Sequence, residues 1–190
     1  IGVRDPDSGH TGLIAFDDHT TGYAIKWTTL NFAAAGDGPS LADLDGDGNV
    51  EVISRNRVFD GKTGEQLCVN TEVGATGGHS IAIDLDGDGK LEVLTGSGAF
   101  KFEPDGNGGY NCPTYWVIES GAGKIAVGDF GTFTGEQPDY NTRDGFPEIV
   151  TIYTASDRTY VQLSNGQTGK KIWASPLPNS GHPLYADTDC

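Results

Sequence analysis

An acidic, glycine-centred segment recurs along this chain, and that recurrence limits the possible folds more than any other feature. Ser40 to Glu51 reads SLADLDGDGNVE and Ser80 to Glu92 reads SIAIDLDGDGKLE, each followed by an alternating apolar run. A broken copy joins Ile125–Phe130 (IAVGDF) to Asp144–Val150 (DGFPEIV) across an insertion, and another begins at Leu184 (LYADTD). A second pattern, a turn, alternates with the first: VFDGKTGEQLC from Val58, LSNGQTGKKIW from Leu163, FDDHTTGYAIKW from Phe16, and a degenerate FEPDGNGGYNC from Phe102. The leading aspartates Asp43, Asp84, Asp129 and Asp187 stand 41, 45 and 58 residues apart. A period of that length suits a four-stranded propeller blade.

One period reads as four short strands: Ser40–Leu44, the acidic loop, Val50–Ser54, Arg57–Asp60, the Lys62–Gly64 turn, and Glu65–Asn70. Loop and turn each close a hairpin. Such a unit is apolar on both faces and needs stacked neighbours to be stable. The expected fold is therefore all-β, a propeller of four-stranded antiparallel blades. Residues 1–190 form one region, with blades at 39–78, 79–122 and 123–181, a partial blade at 1–38 that holds the last two strands of a blade from Leu13 to Thr28, and another partial blade at 182–190. Because the last acidic loop stops after Asp189, we expect a partial propeller of a longer chain. Trp27 and Trp173 recur at one packing slot, and Tyr115-Trp116 reads as core at a blade interface.

Composition narrows the function. The 29 glycines and 36% hydrophobic content suit a helical bundle poorly. Lys+Arg 12 against Asp+Glu 27 leaves a net charge of −15. Nucleic acids and anionic membranes need a positive surface, so neither is an expected partner, and cations are. No apolar run approaches the roughly 20 residues of a membrane-spanning helix. Cys68, Cys112 and Cys190 are odd in number and match no zinc pattern; with the surface acidity they point to an extracellular or cell-surface setting. Cys68 and Cys112 both end copies of the turn, which places them in corresponding outer strands. Such strands diverge with radius, so no bond between the two is expected. No N-x-S/T acceptor occurs.

The acidic loops have the donor spacing of a calcium site. Asp43, Asp45 and Asp47 take positions 1, 3 and 5, Gly48 turns the chain, Asn49 offers its carbonyl, and Glu51 closes at position 9. The second loop repeats this with Asp84, Asp86, Asp88, the Lys90 carbonyl and Glu92. Calcium takes six to eight hard oxygens, and four carboxylates within nine residues repel one another without a cation. An EF-hand would place a glutamate at position 12 between helices, but Ser54 and Thr95 stand there, flanked by strand-like alternation. Magnesium rarely accepts an all-protein cage. In the broken loop Asp129, Asp144, Phe146 (carbonyl) and Glu148 fill positions 1, 5, 7 and 9 around eleven additional residues, with Asp139 or Asn141 as replacement donors. Asp187 and Asp189 begin the fourth.

These loops and their flanking strands resemble the FG-GAP repeats of integrin-α-type β-propellers along essentially the whole chain. The resemblance implies calcium held by the D-x-D-x-D-G-x-x-(D/E) loop between the first two strands of a blade, residue by residue as above. The Phe-Gly and Gly-Ala-Pro signatures are mostly missing, Gly38-Pro39 being the nearest remnant. That is nearer to the divergent repeats of secreted proteins than to integrins. The D-x-x-T-G-x-x-x-W element also resembles the blade-docking motif of quinoprotein dehydrogenases, which again argues for a propeller rather than a quinone cofactor.

The function expected is a non-catalytic extracellular recognition, adhesion or structural scaffold, without catalytic residues. Its ligand would be a protein or a glycan; self-assembly or further blades are the other expected partners. Candidate contacts are the insertion residues Phe133, Tyr140 and Arg143, since aromatics beside an arginine suit an interface. His79 and His182 both lie five residues before a leading aspartate. They also motivate the alternative, a calcium-dependent polysaccharide lyase of the rhamnogalacturonan type, which needs a base and a charge-stabilising cation.

Overall fold

The computed structural model describes residues 1–4, 11–19, 22–30, 38–74, 79–118, 122–133, 138–156 and 158–178. Among these residues every regular element is a strand, and no helix is long and apolar enough to cross a membrane. Strands β1 (Gly2–Arg4), β2 (Thr11–His19) and β3 (Gly22–Leu30) form a three-stranded sheet. Strands β4 (Ser40–Ala42), β5 (Glu51–Ser54), β6 (Arg57–Asp60) and β7 (Gln66–Val69) form the second sheet. The third holds β8 (Ile81–Ile83), β9 (Glu92–Thr95), β10 (Gly98–Phe100) and β13 (Thr114–Val117), with a small hairpin of β11 (Glu103–Pro104) and β12 (Tyr110–Asn111) inserted before its last strand. Strands β14 (Lys124–Gly128), β15 (Glu148–Ala155), β16 (Arg158–Asn165) and β17 (Lys171–Pro176) form the fourth. All pairings are antiparallel, and all follow chain order except that of β10 with β13, which skips the inserted hairpin.

The second strands of the second and third sheets, β5 and β9, are four residues long and buried along their whole length. A strand flanked by sheets on both faces has no solvent side, so VIS and VLT need no polar alternation. Among the described residues three apolar clusters fill the gaps between consecutive sheets. Leu13, Val52 and Phe59, with Trp27 against them, join the first to the second. Ile53, Val58, Cys68 and Val73 meet Val93, Phe100, Phe102 and Cys112 between the second and third. Leu85, Leu94, Ala99, Trp116 and Ile118 meet Ile149 between the third and fourth.

Every sheet carries a register shift at the same place between its last two strands: at Ala15/Phe16, Val58/Phe59, Ala99/Phe100 and Leu163/Ser164. The residues paired just before each shift are Trp27, Cys68, Trp116 and Trp173. From this slot Trp27 Nε1 donates to the Gly61 carbonyl of the next sheet's turn at 3.1 Å, and Trp116 Nε1 donates to the Gly166 carbonyl at 2.9 Å. Each indole lies on a turn glycine. A Cβ on Gly64 (φ 74°) or Gly169 (φ 69°) would stand 2.5 Å from the ring of Trp27 or Trp116. Both glycines are therefore required twice, by backbone conformation and by close approach. Trp173 holds the same register but is 37% exposed.

Two sequence-based expectations need correction. The first sheet has three strands rather than two, because Gly2–Arg4 pairs with Thr11–Leu13. Cys68 and Cys112 form a disulfide, with Cα atoms 5.7 Å apart. The expectation failed because Cys112 is not in an outer strand: the degenerate turn folds as the inserted β11–β12 hairpin, and β13 is the outer strand of that sheet. The hairpin brings Cys112 back toward the second sheet, where Asn70 Nδ2 donates to its carbonyl at 2.9 Å. The bond thus sits at the slot that tryptophan fills elsewhere.

Candidate metal centre

The three acidic loops close the first hairpin of three successive sheets, and one hydrogen-bond frame builds them all. The closing glutamate turns inward and accepts from the backbone N–H one residue past the leading aspartate. Glu51 Oε2 takes Leu44 N, Glu92 Oε2 takes Leu85 N and Glu148 Oε2 takes Phe130 N, each at 2.8 Å. The leading aspartate accepts from the glycine at position 6: Gly48 to Asp43 at 3.0 Å, Gly89 to Asp84 at 2.9 Å, and Gly145 to Asp129 at 3.1 Å. The position-5 aspartate accepts from position 7, as Asn49 to Asp47, Lys90 to Asp88 and Phe146 to Asp144. The third loop keeps this frame although its halves are fifteen positions apart in sequence.

Burial and charge differ around these frames. Glu51, Glu92 and Glu148 are almost wholly buried. Desolvation pushes all three above the ordinary carboxylate value, against the lowering effect of their backbone hydrogen bonds. The aspartates at the loop tips are more exposed. Asp47 is held below the ordinary value by hydrogen bonds from the Asn49 backbone and side chain. One oxygen from each of Asp43, Asp45 and Glu51 lies within 4.8 Å of the others, and the same holds for Asp84, Asp86 and Glu92. Acidic clusters of this kind, each built on one buried glutamate, could hold a metal ion.

The loops are not equivalent in what already satisfies them. Asp43 Oδ1 and Asp129 Oδ1 are buried with no hydrogen-bond partner among the described residues. A buried carboxylate oxygen left so is costly, and a hard cation with oxygen ligands would satisfy it. In the second loop the matching Asp84 Oδ1 accepts from Gly87 N at 2.6 Å. There Lys101 Nζ also lies 2.9 Å from Asp86 Oδ2, 3.2 Å from Glu92 Oε1 and 3.9 Å from Asp88 Oδ2. Its ammonium stands 4.6 Å from the centre of the Tyr115 ring. Asp86 is lowered, chiefly by the Lys101 hydrogen bond. In the first loop Asp45 Oδ2 instead accepts from the Tyr110 hydroxyl, which raises that phenol to about 12.

The remaining expected residues are placed as follows. Asp139 is exposed and accepts from Asn141 N at 2.9 Å, so its carboxylate closes its own turn within the insertion. Phe133 and Tyr140 meet edge to face at 5.5 Å, with Tyr140 and Arg143 exposed. His79 is exposed. His182, Asp187 and Asp189 lie outside the described residues. Sequence reasoning missed Lys101 and Tyr110. Counting from the closing glutamate would have exposed Lys101, since it stands nine residues after Glu92 as Asp60 stands nine after Glu51, each meeting its glutamate across the hairpin.

No family model matches the chain, and no curated protein gives a significant match. Among solved structures, the V. cholerae biofilm matrix protein Bap1 superposes with a TM-score of 0.58 at 20% identity, covering 93% of this chain and 28% of that one. The rhamnogalacturonan lyase YesW superposes with a TM-score of 0.50 at 24% identity, covering 90% of this chain and 28% of that one. The chain thus spans little more than a quarter of either neighbour. At these identities the shared property is the fold, a run of stacked antiparallel sheets.

Proposed function

We propose that this chain is part of an extracellular calcium-binding β-propeller that serves as a non-catalytic recognition, adhesion or structural scaffold. Its sheets are the blades, at 39–78, 79–122 and 123–181 with partial blades outside them, and its acidic loops are divergent FG-GAP repeats. One observation carries the reading: the same hydrogen-bond frame recurs at the first hairpin of three successive sheets, with a buried oxygen of Asp43 and of Asp129 left unpartnered among the described residues. In the first loop Asp43, Asp45, Asp47 and Glu51 would hold the ion with the Asn49 carbonyl. An ion there clamps the ends of two strands whose carboxylates otherwise repel. A matrix protein among the structural neighbours supports a scaffold role, and Tyr140 with Arg143 on the insertion supplies a surface for a protein or glycan.

The test is a thermal melt in millimolar calcium against chelator, with magnesium as control. Binding to the folded chain alone raises stability by about 2.7 kcal/mol at a hundredfold excess over the dissociation constant. A calcium-specific rise in Tm is expected; equal melts in all three conditions would overturn the clamp.

A second reading, a polysaccharide lyase, is favoured by the rhamnogalacturonan lyase neighbour and by His79 at a strand entry. Lyase chemistry on rhamnogalacturonan leaves an unsaturated sugar whose ultraviolet absorbance grows with time. Growth that His79→Ala abolishes would establish this reading over the scaffold.

A further inference from the structure

The three loops share one frame, yet among the described residues only the second has an ammonium paired with its carboxylates. We propose that Lys101 is a built-in counter-ion that closes the Asp84–Glu92 loop to metal, so that calcium is taken by the first loop and not by the second. This rests on the calcium reading of the acidic loops and divides it between them.

The argument is an atom-by-atom comparison. In the first loop two oxygens accept no hydrogen bond from the described residues: Asp43 Oδ1, which is buried, and Glu51 Oε1. In the second loop both counterparts are engaged, Asp84 Oδ1 by Gly87 N and Glu92 Oε1 by the Lys101 ammonium. Asp45 Oδ2 faces a neutral phenol, while Asp86 Oδ2 faces the ammonium at 2.9 Å. Lys101 therefore touches three of the four carboxylates a metal would need. An ammonium and a divalent cation repel each other at this range and compete for the same lone pairs.

The backbone explains why only this loop has such a partner. Glu51 pairs with Asp60 and Glu148 with Asn165 across the hairpin. Asp60 is occupied with its own turn, accepting from Lys62 N and Thr63 N at 2.8 and 2.7 Å. Asn165 likewise accepts from Thr168 N at 2.9 Å. In the third sheet that turn is replaced by the β11–β12 hairpin, so position 101 is released from capping. A lysine there reaches the loop closed by Glu92, over the Tyr115 ring. Among the described residues no ion pair joins a lysine to the first or third loop.

The test counts calcium sites by titration calorimetry in the wild-type chain and in Lys101→Gln. The glutamine side chain keeps hydrogen-bonding capacity and removes the charge. The expected result is one additional site in K101Q, with affinity at the second loop raised on the order of tenfold or more by loss of the adjacent positive charge. The D43N/D129N background isolates the second loop: it should bind no calcium below millimolar, and K101Q should restore one equivalent. Equal site numbers in wild type and K101Q, or calcium bound by the D43N/D129N chain with Lys101 intact, would overturn the proposal. A melt in chelator gives an independent reading. K101Q should lower Tm because three carboxylates lose their counter-charge, and calcium should restore it. An unchanged Tm in chelator overturns the counter-ion role. Absence of calcium binding in both proteins overturns the clamp reading and the exclusion together, while the chelator melt still decides whether Lys101 neutralises the loop.

Discussion

The joint between the third and fourth sheets and the joint between the second and third perform one task with different chemistry. In the former, Trp116 lays its indole on Gly169 and donates to the Gly166 carbonyl. In the latter, Cys68 stands at the same register and is bonded to Cys112, carried over by the inserted hairpin. A tryptophan lock acts in the folded state, through buried area and one hydrogen bond. A disulfide acts largely on the unfolded chain, by closing a loop of 44 residues. The difference teaches that the slot is the invariant of this architecture and its occupant is exchangeable, provided the neighbouring turn is rebuilt to match.

The contrast can be broken by experiment, most severely at Trp116. Trp116→Ala should cost about 3–5 kcal/mol in denaturant unfolding, as for other buried aromatic truncations. Trp173→Ala, at the same register but exposed, should stay within about 0.5 kcal/mol. Equal costs at the two positions would show that burial at the joint is not what the slot supplies. Next comes the disulfide: Cys68→Ser with Cys112→Ser should lower stability by about 2–4 kcal/mol. Adding reductant should lower the wild-type Tm toward that of the double variant and leave the variant unmoved.

Calcium sharpens the comparison because the first loop belongs to the disulfide joint. Tyr110, on the inserted hairpin, donates to Asp45 across that gap. Chelation should therefore speed hydrogen exchange in β7 more than in β13, by up to about a hundredfold if the ion contributes near 2.7 kcal/mol. Uniform acceleration would mean that the ion stabilises the chain without regard to the joint.

The smallest effect expected is a pH slope in chelator. Glu51, Glu92 and Glu148 have folded values raised above the ordinary 4.5, so the folded chain holds protons that the unfolded chain releases. Their contribution is complete below 4.5 and is lost as pH rises through the raised values. Asp47, Asp86, Asp105 and Asp139 are shifted the other way and lose their contribution only below about 3.8. The chelated Tm should fall as pH rises from about 4.5 toward neutrality, and calcium should reverse the slope; a flat chelated series would deny the glutamates this role.

How much of this was legible in the sequence depended on whether the information was local. The acidic loops were readable because D-x-D-x-D-G places donors and turn within nine residues, and the expected strands around them match β4 to β7 to within about two residues at each end. The broken loop was readable too, since Asp144, Gly145 and Glu148 keep their mutual spacing after the insertion. The failures were in relations set by register or by a neighbouring sheet. Cys112 was misplaced because FEPDGNGGYNC looks like the recurring turn while folding as an added hairpin. Lys101 meets Glu92 only across the hairpin, nine residues away in sequence. Strand β1 is three residues long and carries no motif, so only its partner β2 reveals it.

The exposed Trp173 also gives the molecule an optical handle. Of the three indoles, Trp116 is enclosed, Trp27 is half-shielded and Trp173 faces water. Their fluorescence is accordingly a sum of an apolar and an aqueous emitter. Any surface that settles over β17 converts the red component to blue, so the chain reports occupancy of that face without an added dye.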